Sequence, residues 1–201
     1  MSNSGMVGPR GLSRNWSGAL AALGIACQLL FLAACGSTDA PSPAVPVPAA
    51  GGDPAVTTVY VVRHAEKQSA EIGGRDPSLT TQGRGRAEAL AAMLGDDDVN
   101  AVFATEYKRT QETVAPLAAA LGVPVRESEA ARPEALGARI LEEFAGATVV
   151  VAAHSNTVPR ILAALGVEEE IVIDESEYGD LFVVVVEGEE VIDFTRHRFG
   201  D

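Results

Sequence analysis

Cysteine and positive charge are scarce in this chain of 201 residues, and no apolar stretch is long. The only two cysteines, Cys27 and Cys35, both stand near the start, so the rest of the chain can form no internal disulfide. Fifteen basic residues face 28 acidic ones, for a net charge of −13, which argues against nucleic acid as a partner and against docking flat onto anionic lipid. The most apolar run, Ala19 to Ala34, falls short of the ~20 residues that a membrane-spanning helix needs. No internal repeat is visible. What the chain does have is 47% hydrophobic composition, enough for one globular domain with a buried core and no staples.

That domain does not begin at Met1. Arg10 and Arg14 form a basic front, the apolar run follows, and "LAAC" at Leu32 to Cys35 closes it. The order of basic front, short apolar stretch and small residues predicts export. The segment resembles a bacterial lipoprotein signal peptide, which implies a leader over 1–34 and lipidation of Cys35. Loss of the leader would remove two arginines and no acid, taking the net charge from −13 to −15. Residues 36–54, "GSTDAPSPAVPVPAAGGDP", are Pro, Ala, Gly and Ser with almost no large apolar side chain. With Cys35 they form the expected 35–54 tether, disordered and partly polyproline II, reaching at most ~60 Å at ~3.1 Å per residue. The expected location is the bacterial cell envelope, with the lipid as the membrane attachment.

From Ala55 to Asp201, short β-branched runs alternate with helix-period segments. Val56 to Val62 reads as a buried strand, followed by a helix with Ala87, Leu90, Ala91 and Leu94 on one face. Ala101 to Ala104 is a second strand, and Val114, Leu117, Ala118 and Leu121 mark the next helix. A short extended piece at Val123 to Val125, a helix through Leu136, Ile140 and Phe144, a strand at Thr148 to Ala153 and a helix through Val158, Ile161, Leu162 and Leu165 follow. Leu181 to Val186 and Val191 to Thr195 close the chain as a hairpin turning at "EGEE". The alternation predicts an α/β three-layer sandwich, with a mostly parallel central sheet, helices on both faces and antiparallel strands at one edge.

In open α/β sheets, ligands bind beyond the carboxyl ends of the strands. After the first strand this sequence sets Arg63 and His64; after the second, "ATEYKRTQET" with Arg109 in the first turn of a helix; after the fourth, "AAHSNT" with His154. Two guanidinium forks and an imidazole suit the oxygens of a phosphate, because arginine offers planar bidentate donors and keeps its charge. A neutral histidine beside them can attack phosphorus through a ring nitrogen, and the arginines disfavour its protonation. Successive strand residues face opposite ways, so Arg63 and His64 share one pocket only if the strand breaks at "RHA". Thr105 stands where a helix N-cap belongs, which would aim backbone N–H groups at the anion, and "HSNT" is expected to open the fourth helix in the same way.

"VVRHAEK", "LTTQGRGRAEAL", "ATEYKRTQETVAPLA", "VVVAAHSNTVPRIL" and "EYGDLFVV" occur in the order and spacing of the histidine phosphatase superfamily, also called phosphoglycerate mutase-like, which the chain resembles. The resemblance implies that His64 is the nucleophile that becomes phosphorylated and that Arg63, Arg109 and His154 bind the phosphoryl group. It implies no metal and no cofactor. It also implies a phosphatase acting on a small phosphorylated substrate through a phosphohistidine. Ala65 and Ala153 depart from the glycines common at these positions, each adding a methyl expected near the phosphate. Members commonly take the leaving-group proton from a carboxyl in the segment after the second arginine, here "VRESEAARPEAL" with Glu127, Glu129 and Glu134. Glu129 is favoured because it falls just before the third helix, where a loop side chain can turn inward.

Other readings of the same residues are weaker. Zinc on His64 and His154 lacks a third ligand at a familiar spacing, and two arginines would repel it. His197 reads as structural or exposed, Arg84 and Arg86 as the solvent face of their helix, and "ESEYGD" as a loop shaping access to the pocket. The alternatives at the level of function are a phosphate-binding envelope lipoprotein without turnover and a protein phosphohistidine phosphatase.

Overall fold

The structure is a computed structural model that describes residues 55–200. The expected leader over 1–34, Cys35 and the tether over 35–54 lie outside the described residues.

Six strands form one sheet in the order β3-β2-β4-β1-β5-β6. They are β1 (Val56–Arg63), β2 (Val99–Thr105), β3 (Val125–Ser128), β4 (Thr148–Ala153), β5 (Asp180–Glu187) and β6 (Glu190–Arg198). β4 pairs in parallel with both β1 and β2, and β2 pairs in parallel with β3. β5 and β6 add antiparallel strands beyond β1, joined at Gly188, whose φ of 63° suits a two-residue hairpin turn. The sheet is therefore mixed, with its antiparallel part at one edge.

The helices are α1 (Ala70–Gly73), α2 (Thr81–Leu94), α3 (Lys108–Leu121), α4 (Pro133–Glu143) and α5 (Val158–Ala164). Strand alternation divides the core in two. Val59, Val61, Phe103, Val149 and Val151 face one way and pack with Ile140 of α4 and Ile161 and Leu162 of α5. Val62, Val102, Val150 and Ala152 face the other way, against Leu90 of α2 and Val114 and Leu117 of α3. Because β1, β2 and β4 are covered on both faces, they read as nearly continuous apolar runs. Among the described residues no helix is long and apolar enough to cross a membrane.

Two local expectations are corrected. The short extended piece lies at Val125–Ser128 rather than Val123 to Val125, because Val123 still belongs to the end of α3: its N–H donates to the Ala118 carbonyl past the left-handed Gly122. Arg86 is not on a solvent face. It is 8% exposed, with Nε and Nη2 on the Glu66 carboxylate and Nη1 on the Phe199 carbonyl, so α2 turns this arginine inward against the chain end.

Candidate active site

The three strands at the middle of the parallel sheet end together, and the first residue beyond each carries an ionisable side chain. β1 ends at Arg63 and delivers His64, β4 ends at Ala153 and delivers His154, and β2 ends at Thr105 and delivers Glu106. The His64 N–H donates to the Ala153 carbonyl at 2.9 Å, which holds the two histidine-bearing ends side by side. Their rings meet edge to face at a centroid distance of 5.4 Å. A cavity of about 380 Å³ opens over them, lined among others by Lys67, Glu106, Tyr107, Arg109 and Glu175.

His64 is held in one tautomer. Its Nδ1 lies 2.8 Å from the Ala65 carbonyl, an acceptor only, so Nδ1 carries the proton and Nε2 keeps its lone pair. Burial lowers the pKa of His64 to about 3; the hydrogen bond to Ala65 opposes this, and His154, Arg109 and Arg63 add to it by charge. The ring is neutral at pH 7. His154 is lowered to about 4, first by burial and then by Arg109, against which Glu106 pulls upward. Its Nε2 is 3.0 Å from the Thr105 hydroxyl, which in turn meets the Thr110 hydroxyl at 2.8 Å.

Thr105 is therefore not the N-cap of α3. It stays in β2, opposite Ser128 of β3, and spends its hydroxyl on His154, while Tyr107 takes the cap position without a side-chain bond. "HSNT" likewise forms a turn ahead of α5, with the His154 N–H donating to the Thr157 hydroxyl.

Arg109 leaves the first turn of α3 with its guanidinium over the Tyr107 ring at 4.3 Å and 3.8 Å from Asp76. Arg63 takes a different course from the shared pocket the sequence suggested. The strand pairing does stop at "RHA", but Nη1 donates to the carbonyls of Asp174 and Glu177, and Nη2 reaches Glu175 at 3.2 Å. Its guanidinium stacks on Tyr178, and the cavity wall is made by His64 instead. Even so, three buried side-chain nitrogens without a partner among the described residues belong to this group: Arg63 Nε, Arg109 Nε and His154 Nδ1. Buried polar atoms seldom stay unpaired, and here all three come from residues singled out for phosphate binding.

The carboxylates fall differently from the sequence expectation. Glu129 is 69% exposed, pairs with Arg132 three residues on, and lies outside the cavity lining. Glu127 is exposed near Gln111, and Glu134 is tied to Arg160 on the surface. Glu106 is the carboxylate beside the histidines, its Oε2 accepting from the Ala130 N–H at 2.9 Å. In the folded sheet it stands one residue past β2, the same offset as His64 from β1 and His154 from β4. Ala65 and Ala153 do not crowd the cavity: Ala65 packs with Leu79 and Ala87, and Ala153 lies in the core facing α4 and α5. His197 is exposed on β6 beside Thr195. Among the described residues no group of three or more His, Cys, Asp or Glu is placed to hold a metal ion.

Comparison with known proteins gives this arrangement its relatives. Residues 59–137 match the model of the histidine phosphatase superfamily (branch 1). The uncharacterized protein Rv0525 of Mycobacterium tuberculosis is 43% identical over 70 residues, 33% of this chain and 35% of that protein. The match thus spans about a third of that relative's length. Among solved structures, the mycobacterial glucosyl-3-phosphoglycerate phosphatase Rv2419c superposes with a TM-score of 0.57 at 16% identity, over 72% of this chain and 99% of that one. The protein histidine phosphatase SixA, complexed with tungstate, gives a TM-score of 0.55 at 17% identity, over 71% and 95%. At these identities the likeness is one of fold. The segment of residues 59–137 is thus similar to the histidine phosphatase superfamily, and the domain around the cavity shares the fold of solved phosphatases.

Proposed function

We propose that the protein hydrolyses a phosphomonoester in two displacements through a phosphohistidine on His64. The observation that carries the reading is that Arg63 Nε, Arg109 Nε and His154 Nδ1 are buried without a partner among the described residues, in the same group of side chains as a histidine whose tautomer leaves Nε2 free. In the first displacement Nε2 attacks phosphorus, the N–P bond forms, and the P–O bond to the alcohol breaks as Glu106 gives its proton to the departing oxygen. In the second, water attacks the phosphohistidine, the N–P bond breaks, and the water proton returns to Glu106. Arg63 and Arg109 stabilise the charge on the equatorial oxygens, and a proton on His154 Nδ1 would add a third donor. Arg63 Nη1 meets only neutral carbonyls, while its Nη2 is paired with the Glu175 carboxylate, which leaves Nε for the phosphoryl oxygens.

Glu106 replaces Glu129 in the role of acid because it lines the cavity, where the other carboxylate, Glu175, has both oxygens engaged by Ser155 and Arg63. The phosphate-binding reading without turnover drew on Ala65 and Ala153, whose methyls lie in the core. The test is turnover of p-nitrophenyl phosphate by wild type and His64→Ala, with trapping of acid-labile phosphate on the protein. Wild type is expected to turn over and to label, and His64→Ala to lose at least ~10³-fold and all label. Equal turnover in the two would sink the assignment.

The export reading stands beside this one as a proposal: cleavage before Cys35 and a lipid on its sulfur. Cys35→Ser is expected to move the protein from the membrane fraction to the soluble one, and an unchanged distribution would count against the anchor.

A further inference from the structure

The wall of the cavity carries a carboxylate with no part in the two displacements. Glu175 belongs to the loop between α5 and β5, and its two oxygens are both engaged: Oε1 accepts from the Ser155 hydroxyl at 2.5 Å and Oε2 from Arg63 Nη2 at 3.2 Å. The anchors come from the ends of β1 and β4, so the carboxylate is pinned across the strand ends that deliver His64 and His154. It is nevertheless 79% exposed, and it lines the same cavity as His64 and Arg109. Its charge thus faces the space that the organic part of a substrate must occupy.

The balance of charge there is unfavourable to a second anion. Arg109 and Lys67 on the wall and Arg63 behind Glu175 supply the positive charge, while Glu175 and Glu106 line the wall and Asp76 lies 3.8 Å from Arg109. When a dianionic phosphoryl group sits against the arginines, its two charges together with Glu175 and Asp76 outnumber the three cations, even with Glu106 protonated for its role as acid. Beyond the phosphoryl group, a carboxylate or a second phosphate would then enter a net negative site in a chain of net charge −13. A neutral polyol would meet no such repulsion. An ammonium group would be attracted.

We propose that Glu175 acts as a charge filter, so that the site takes phosphomonoesters whose organic part is neutral or cationic and rejects those with a second anionic group. This names the substrate class for the phosphatase reading and rests on that reading for the place of the phosphoryl group. Glu175 is here a specificity-determining residue and takes no part in proton or phosphoryl transfer. Ser155 positions it.

Two esters of similar size test the filter: O-phosphoethanolamine, with an ammonium group, and 3-phosphoglycerate, with a carboxylate. The full chain is compared as wild type, Glu175→Gln and Glu175→Lys, reading the ratio of kcat/KM for the two esters within each variant. Both esters share the phosphoryl group, so any change in how Arg63 holds it cancels in the ratio. Dissociation constants for the same pair are measured on the His64→Ala background, which needs no turnover. Wild type is expected to favour phosphoethanolamine by about tenfold or more, Glu175→Gln to narrow the ratio about tenfold, and Glu175→Lys to invert it. A wild-type preference for phosphoglycerate, or a ratio unmoved in both variants, overturns the proposal. Turnover of p-nitrophenyl phosphate with an unmoved ratio rejects the filter and leaves the phosphatase reading intact. A shift in the dissociation constants without turnover by wild type does the reverse.

Discussion

The backbone of Ala65 works in both directions: its carbonyl accepts from His64 Nδ1 and its N–H donates to the Thr113 hydroxyl at 2.9 Å. A glycine could supply the same two groups, and the extra methyl is accommodated by Leu79 and Ala87 on the side away from the cavity. Which way that methyl points cannot be read from a string of letters. The same holds for Arg63, whose guanidinium follows carbonyls more than a hundred positions further along the chain. His64, Arg109 and His154 line one cavity, and their convergence is legible because each follows a strand end or opens the helix after one. Glu106 precedes Arg109, outside the segment in which the family resemblance places the acid. The leaving group tests it. Glu106→Gln is expected to lower kcat for an alkyl phosphate about 10²-fold and to cost much less with p-nitrophenyl phosphate, whose phenolate leaves without a proton. Glu129→Gln, changing an exposed residue paired with Arg132, should move neither. Equal losses on the two esters in Glu106→Gln would show that Glu106 positions groups and donates no proton.

At the scale of elements, the strands were easy to find and their ends were not. β-branched runs buried on both faces announce β1 and β4, whereas the length of β2 depends on its neighbours: Thr105 remains extended because it pairs with Ser128. The N-cap expectation failed there because a hydroxyl at a strand end had a tertiary partner in His154. α2 shows how closely an element can be seated against the site. Thr80 caps it through the Gly83 N–H at 3.0 Å, and a Cβ at Gly83 would collide with the carbonyl oxygen of Glu66, two residues past His64. The obstacle is backbone and cannot swing aside. Gly83→Ala is expected to destabilise the domain by about 1–3 kcal/mol, despite alanine's better helix propensity, and to lower kcat/KM by shifting the segment after His64. Denaturant unfolding and turnover measure the two effects. A stabilised variant with full activity would contradict this seating of α2.

For the whole molecule, the site's burial is linked to pH. His64 and His154 are lowered to about 3 and about 4 from an ordinary value near 6.5, chiefly by desolvation. Between those values and about pH 6.5 the unfolded chain binds protons that the native domain does not, so native stability rises with pH across that window. It is fully present above about pH 6.5, and falls as the pH drops toward 4 and then 3. The melting temperature is accordingly expected to drop over pH 6.5 to 4. Replacing His64 and His154 together with glutamine should flatten that part of the profile relative to wild type. An identical slope in the double variant would mean that carboxylates alone set the acid limb.

The sequence by itself determined the α/β alternation, because burial on both faces demands continuous β-branched runs and helix packing demands the 3.6-residue period. It also determined that His64, His154 and the helix bearing Arg109 follow strand ends, because in an α/β sheet the strand order brings those ends to one edge. Only the tertiary structure decided what each of these groups touches: Arg63 against the 174–178 loop, His154 against Thr105, Arg86 against Glu66, and Glu106 and Glu175 on the cavity wall. The physical reason is range. Periodicity and residue chemistry are local properties, whereas a hydrogen bond or an ion pair depends on which distant segment the folded sheet brings within about 3 Å.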